Sequence, residues 1–133
     1  MRRALWLWGP VAAYAVVIFL ESSVSQVPEL PTGVSDKDAH GLLYAGLALL
    51  ILRAVAGASW RNVTIGAGVA AVFLSAAYGA TDEFHQRFVP GRTADLMDLA
   101  ADTAGAATAV AVVWLIAWWR RRSSLTGDRP SSA

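Results

Sequence analysis

At 133 residues the chain has the length of one domain, and 56% of it is apolar against 16% charged, a balance far from that of ordinary soluble domains. It has no cysteine, which excludes a disulfide framework and any thiolate ligand or nucleophile. Eleven basic and ten acidic residues leave a formal charge of +1, so what informs is where the charges sit.

Residues 4–20 (ALWLWGPVAAYAVVIFL) form an uncharged run of about the length needed to cross a hydrocarbon core, preceded by Arg2 and Arg3. A secretory signal has a shorter apolar core, and the best cleavage-like sequence, Ser23-Val24-Ser25, is a poor one. The run is therefore read as an uncleaved first membrane helix, the alternative being a cleaved leader that leaves three helices. Pro10 falls inside it, where a mild kink is expected. Residues 21–35, with two prolines and a glycine among polar side chains, read as a loop.

A second helix is expected over 38–55, capped by Ser35 or Asp36. Asp36, His40 and Tyr44 recur at i, i+4, i+8 and share one face near its start. A short turn, GASWRN, leads to a third helix over 63–82, and Tyr78, Asp82 and His85 line up if helicity continues past the run. Pro90-Gly91 marks a turn. A fourth helix is expected over 96–119, where Arg120, Arg121 and Arg122 stop it, and 123–133 read as a short disordered cytoplasmic tail after a single transmembrane domain over 1–122.

These elements imply an all-α membrane protein, a bundle of four transmembrane helices. In that arrangement Arg2, Arg3, Arg53, Arg61, Arg120, Arg121, Arg122 and Arg129 share one side, while Lys37, Arg87 and Arg92 lie on the other with every acid except Asp128. The positive-inside rule then makes both termini cytoplasmic and turns the acids outward. The six tryptophans gather near the basic side, where amphipathic rings anchor helices at an interface. Nucleic acid is not an expected partner, because the only basic run is the Arg120–Arg122 stop, which topology and anionic membrane lipid explain.

One stretch, YGATDEFHQRFVPGRTADLMDLAADTAG from Tyr78 to Gly105, concentrates the polar chemistry. Asp95, Asp98 and Asp102 follow at i, i+3, i+7 and lie on one stripe that continues into Gly105. Acids at a helix start suit its dipole, which accounts for Asp95 and Asp98 better than for Asp102. Asp102 sits roughly 6 Å further along the axis than Asp98, and a charged Asp at mid-membrane costs about 2.5 to 3.5 kcal/mol. It should therefore turn inward. Ala101, Gly105 and Ala109 on the fourth helix, and Gly66 and Ala70 on the third, are small residues four apart that let backbones approach closely in lipid.

Asp36-Lys37 followed by His40 and Tyr44, then Tyr78-Gly79, Asp82-Glu83-x-x-Gln86, Pro90-Gly91-Arg92, Asp95, Asp98, Asp102 and Gly105, resembles the VanZ-like family of small bacterial membrane proteins. Many members of that family carry Asn where this chain has Asp102. The family is named for a protein associated with low-level teicoplanin resistance, so the resemblance implies a multi-pass protein of the bacterial cytoplasmic membrane in a cell-envelope setting. It implies no settled molecular activity.

Two readings of the cluster stand side by side. In the first it is a ligand site: Lys37, His40, Tyr44, Tyr78, Asp82, Glu83, Gln86, Arg92, Asp95, Asp98 and Asp102 bind an envelope or lipid-linked component. His40, Asp82, Glu83, His85, Asp98 and Asp102 offer the oxygen and imidazole ligands that suit a divalent cation such as Mg, Mn or Zn. Such a cation would grip a lipid-linked phosphate, with Arg92 or Lys37 as a second clamp and Glu83 or His40 as the catalytic acid or base. In the second reading Lys37, Arg87 and Arg92 neutralise the acids in an ion-paired lock, and the protein is a non-enzymatic scaffold that docks an envelope protein or a second copy of itself. A proton-coupled transporter fits less well, since no inverted repeat or broken helix pair is evident.

Overall fold

The structure, a computed structural model, describes residues 1–25, 36–92 and 94–126. Four helices follow one another: α1 (Arg2–Ser22), α2 (Asp36–Val55), α3 (Ile65–Gln86) and α4 (Leu96–Thr126), with a 3₁₀ turn at Trp60–Asn62. Among the described residues there is no strand. α1, α3 and α4 are long and apolar enough to cross a membrane, and α2 contributes a shorter apolar stretch, Ala39–Val55. α2 is the central element. It packs on all three of the others, most extensively on α4, and Tyr44, Leu47, Ala48, Ile51 and Leu52 are almost wholly buried.

The inward stripes follow the 3.6-residue period on every helix. α1 presents Leu7, Val11, Tyr14, Ala15, Ile18 and Ser22 to its neighbours. On α3 the stripe runs Ala67, Ala71, Ser75, Gly79, Asp82, Glu83, Gln86, and on α4 it runs Asp102, Ala106, Val110, Ala117. Each stripe is apolar at one end of the bundle and polar at the other. The polar cluster is thus an interior surface, held at one level by the alternating direction of the helices.

The closest approach between backbones joins α2 to α4. A methyl group built on Gly105 would run into the carbonyl oxygen, carbonyl carbon and Cα of Gly41. The small-residue face expected on α4 is therefore used, but its partner is Gly41. Gly66 on α3 is exposed and meets nothing beyond its own cap residue, Thr64.

Three helix ends differ from those expected. α1 continues through Glu21 and Ser22, read above as loop, because the Ser22 and Ser23 hydroxyls bond back to the Phe19 carbonyl at 3.1 and 2.6 Å. α3 continues to Gln86, since its polar last turn faces inward where partners satisfy it. α4 passes the three arginines and reaches Thr126. Arginine is a good helix former, and here the guanidinium groups fold onto the bundle instead of ending the helix. Arg121 donates to the Trp60 and Val63 carbonyls at 3.3 and 3.1 Å, and Arg122 lies 4.0 Å over the Trp118 ring. Residues 123–126, expected to be disordered, are thus helical, whereas the rest of the expected tail, the loop over 26–35 and the Ser35 cap lie outside the described residues.

The same pairing recurs across the basic end. Arg53 stands 3.9 Å over Trp6 while donating to its carbonyl at 3.2 Å, and Arg120 lies 5.0 Å from Trp60. Trp6, Trp60 and Trp118 are exposed at their rings, as interfacial anchors stacked with cations should be.

Candidate functional site

At the opposite end, α1, α2, α3 and α4 bring a polar group together. His40, Tyr44, Asp82, Glu83, Gln86 and Asp102 are buried, and Tyr78, Arg92, Asp95 and Asp98 are half-buried. All ten belong to the expected site. Lys37 stands in the first turn of α2, but its side chain lies outside the described residues.

Asp82 is the junction. Its Oδ1 accepts from the Ser22 hydroxyl of α1 at 2.6 Å, and its Oδ2 accepts from the Gln86 amide one turn later at 3.2 Å. Glu83 reaches the other way: its Oε2 accepts from the Asp95 backbone N–H at 2.9 Å, which ties α3 to the start of α4. Asp95 caps that helix, its Oδ1 accepting from the Met97 N–H at 2.9 Å. Gly91 makes the turn between them at φ +82°, a conformation that side chains disfavour.

Arg92 turns toward α1. Its Nε donates to the Val24 carbonyl at 3.2 Å, and its guanidinium stands 3.7 Å from Glu21. The same Glu21 lies 3.8 Å from His40 Nε2. His85 meets Ser23 at 3.0 Å and lies against Phe19, with ring centroids 4.5 Å apart, so it docks α1.

Glu21, Ser22 and Ser23 were not anticipated as site residues. A signal was available: they directly follow an apolar run whose far end must lie at the level of the acids once the helices alternate. Tyr78 also serves α1, donating to the Ala15 carbonyl at 2.6 Å. Tyr78→Phe is expected to lower stability by about 1 kcal/mol, the usual net worth of one such bond. Thermal unfolding in detergent checks it.

Several buried polar atoms make no hydrogen bond among the described residues. Both ring nitrogens of His40, the Tyr44 hydroxyl and Asp102 Oδ1 are buried without a hydrogen bond among the described residues. His40, Glu83, Asp98 and Asp82 are the electrostatic neighbours of Asp102. Buried polar groups are nearly always satisfied, so orphaned ones mark a place where water or a ligand completes the set. Acceptors outnumber donors here. The arrangement suits a group rich in hydroxyl or ammonium donors.

Among the described residues no three His, Asp or Glu side chains converge closely enough to hold an ion. The physical reason is visible at Asp82 and Glu83, whose oxygens are engaged by Ser22, Gln86 and the Asp95 amide. Arg92, expected to clamp a phosphate, is likewise engaged by α1.

Comparison with known proteins agrees with this picture at the level of family. The sequence model described as VanZ/LLP1 matches residues 11–117, most of the chain, and the chain belongs to that family. No curated protein and no solved structure matches it.

Proposed function

We propose that this member of the VanZ/LLP1 family binds a polar or lipid-linked component of the bacterial cell envelope, from the outer face of the cytoplasmic membrane, through the interior polar end of its bundle. The observation that carries the reading is the set of orphaned buried atoms on His40, Tyr44 and Asp102. Evolution toward a purely structural core would pair or remove such groups, since each costs about 1 to 3 kcal/mol when left unsatisfied. The outward orientation rests on the segregation of arginine to the other end. A link to glycopeptide susceptibility rests on the family alone and enters as a phenotype to measure.

His40→Leu tests the binding reading, because leucine fills the site while removing two nitrogens that make no hydrogen bond. Membrane abundance and thermal stability are expected to hold or rise. Co-purifying glycolipid, read by native mass spectrometry, and any effect on teicoplanin susceptibility should both be lost. Retention of both by this variant would sink the reading.

A second reading keeps the ion-paired lock. It is favoured by the bonds that join helix ends, Ser22 to Asp82, Glu21 to Arg92, and Glu83 to the Asp95 amide. On that view the protein is a non-enzymatic scaffold, and any phenotype follows membrane abundance across variants instead of following His40.

A further inference from the structure

The basic end of the bundle, opposite the polar cluster, holds a cavity of about 330 Å³ between α2, the 3₁₀ turn and α4. Leu49, Leu52, Val63 and Val113 line its apolar part, and Arg53, Ser59 and Trp60 its polar part. Two successive residues in the left-handed region, Gly57 at φ +60° and Ala58 at φ +57°, swing the chain out of α2 so that Ser59 and Trp60 return beside the cavity. α1 brings a second cation to the same turn: a methyl group built on Gly57 would stand 3.4 Å from the Arg3 guanidinium. We infer that this cavity seats one chain of an anionic phospholipid of the surrounding leaflet, with the lipid phosphate held by Arg53 and Arg3. His40 and Asp102 lie at the other end of the bundle, so this site is separate from the binding reading above and stands or falls without it.

Charge selects the headgroup. In the sequence eight arginines gather at this end against one acidic side chain, Asp128. Among the described residues the basic ends of the four helices and the turn between α2 and α3 carry no carboxylate. Arg53 lies 3.9 Å over the Trp6 ring and uses one nitrogen to donate to the Trp6 carbonyl at 3.2 Å, which leaves other N–H donors of its planar fork for a phosphate. The last carbonyls of α2 do not oppose an anion here, because Arg53 and Ala54 accept from the Ala58 and Gly57 amides and Ala56 accepts from the Asn62 side chain. Basic pockets between membrane helices are established places for anionic headgroups. A second copy of this chain docked through the same end would set arginine against arginine.

Depth selects a lipid over a soluble anion. Leu49 precedes Arg53 by one helical turn, and Leu49 to Ala56 covers roughly 10 Å of the α2 axis at 1.5 Å per residue. Trp6, Trp60 and Trp118, exposed at their rings, mark the level of the membrane interface. The cavity therefore begins at headgroup level and runs into the hydrocarbon. A free phosphate would use the arginines and leave the apolar part empty, and a neutral lipid would do the reverse. An anionic amphiphile uses both.

The test is equilibrium binding to the full-length protein in a zwitterionic detergent, with phosphatidylglycerol, phosphatidylcholine and glycerol phosphate as probes. Saturable binding of phosphatidylglycerol is expected, with phosphatidylcholine about tenfold weaker and glycerol phosphate silent at the same concentrations. Arg53→Gln and Arg3→Gln should each weaken phosphatidylglycerol binding about fivefold, the scale of one basic residue at an anionic surface. Leu49→Trp fills the cavity from an exposed position and should weaken binding about tenfold through the chain contact it displaces. Arg122→Gln makes the same charge change beside Trp118, outside the cavity, and should leave binding within about twofold. Arg3 and Leu49 are exposed, so their variants decide the matter if Arg53→Gln fails to fold. Phosphatidylcholine binding as tightly as phosphatidylglycerol overturns the inference, and so does glycerol phosphate binding as tightly as the lipid. Unchanged binding in folded Leu49→Trp overturns it as well. An equal loss in Arg122→Gln and Arg53→Gln would assign the binding to the charge of the whole end and remove the site.

Discussion

Replacing Gly105 with alanine should drive α2 and α4 apart and lower stability by about 3 kcal/mol, at the upper end of the range for overpacking a filled interior. The new methyl group would meet the backbone of Gly41, at its carbonyl and Cα, and backbone cannot rotate away as a side chain tip can. In lipid the helices have little hydrophobic drive to associate, so close backbone packing supplies much of what holds them. α2 and α4 form the most extensive contact in the bundle, and every inward stripe would lose register with them. Gly41→Ala provides the internal control. A methyl group there meets only the Ala101 carbonyl at 3.5 Å, an ordinary contact, and alanine is favoured over glycine in a helix by about 1 kcal/mol. Thermal unfolding in detergent and abundance in the membrane should therefore fall for Gly105→Ala and hold for Gly41→Ala. Equal behaviour of the two variants would show that the close approach is not what joins the helices.

Removing the Asp82 carboxyl should loosen α1 from the rest. Asp82→Ala is expected to cost about 2 to 3 kcal/mol, the worth of a buried hydrogen bond to a charged group together with an amide left unsatisfied. Ser22 keeps its bond to the Phe19 carbonyl, but Gln86 loses the carboxylate that accepts from its amide nitrogen, and α1 makes few other contacts with α3. Ser22→Ala, Asp82→Ala and the double variant form a cycle that isolates the bond between them. A coupling of about 1.5 kcal/mol or more is expected. Strict additivity would mean that the 2.6 Å contact carries no energy of its own. Asp82→Asn should lie between wild type and alanine, because its carbonyl still accepts from Ser22 while Gln86 can turn to present its own oxygen.

How much of this was legible before folding depends on the range of the interaction concerned. The His40 and Tyr44 face, the inward turn of Asp102 and the use of Gly105 all follow from the helical period within one segment. The cap at Asp95 follows from residue type beside a turn. The role of α1 was missed because Ser22 and Asp82 are sixty positions apart, and nothing in either neighbourhood names the other. Serine after an apolar run also reads as loop, whereas here its hydroxyl bonds back to the helix and forward to an acid at once.

Residue type alone likewise leaves open which oxygens of the cluster are already engaged. Six acids and imidazoles offer metal-ligand chemistry, and in the fold hydroxyl and amide donors of Ser22, Gln86 and Asp95 reach both oxygens of Asp82 and Oε2 of Glu83. Donor competition of this kind is decided by distances across helices. The same holds for the reach of Arg92 to Glu21 and the Val24 carbonyl, which no local pattern names.

By itself the sequence determined the solvent of this protein, its four helices, the end of the bundle where polar chemistry gathers and the family to which it belongs. Those properties depend on composition and on the period of single segments, and each helix carries its own. Only the tertiary structure decided which groups satisfy one another, that Gly41 is the partner of Gly105, that α1 completes the site, and that His40, Tyr44 and Asp102 keep buried atoms unpaired. Pairing is a property of two surfaces brought to within a hydrogen bond of each other, and no single segment contains it.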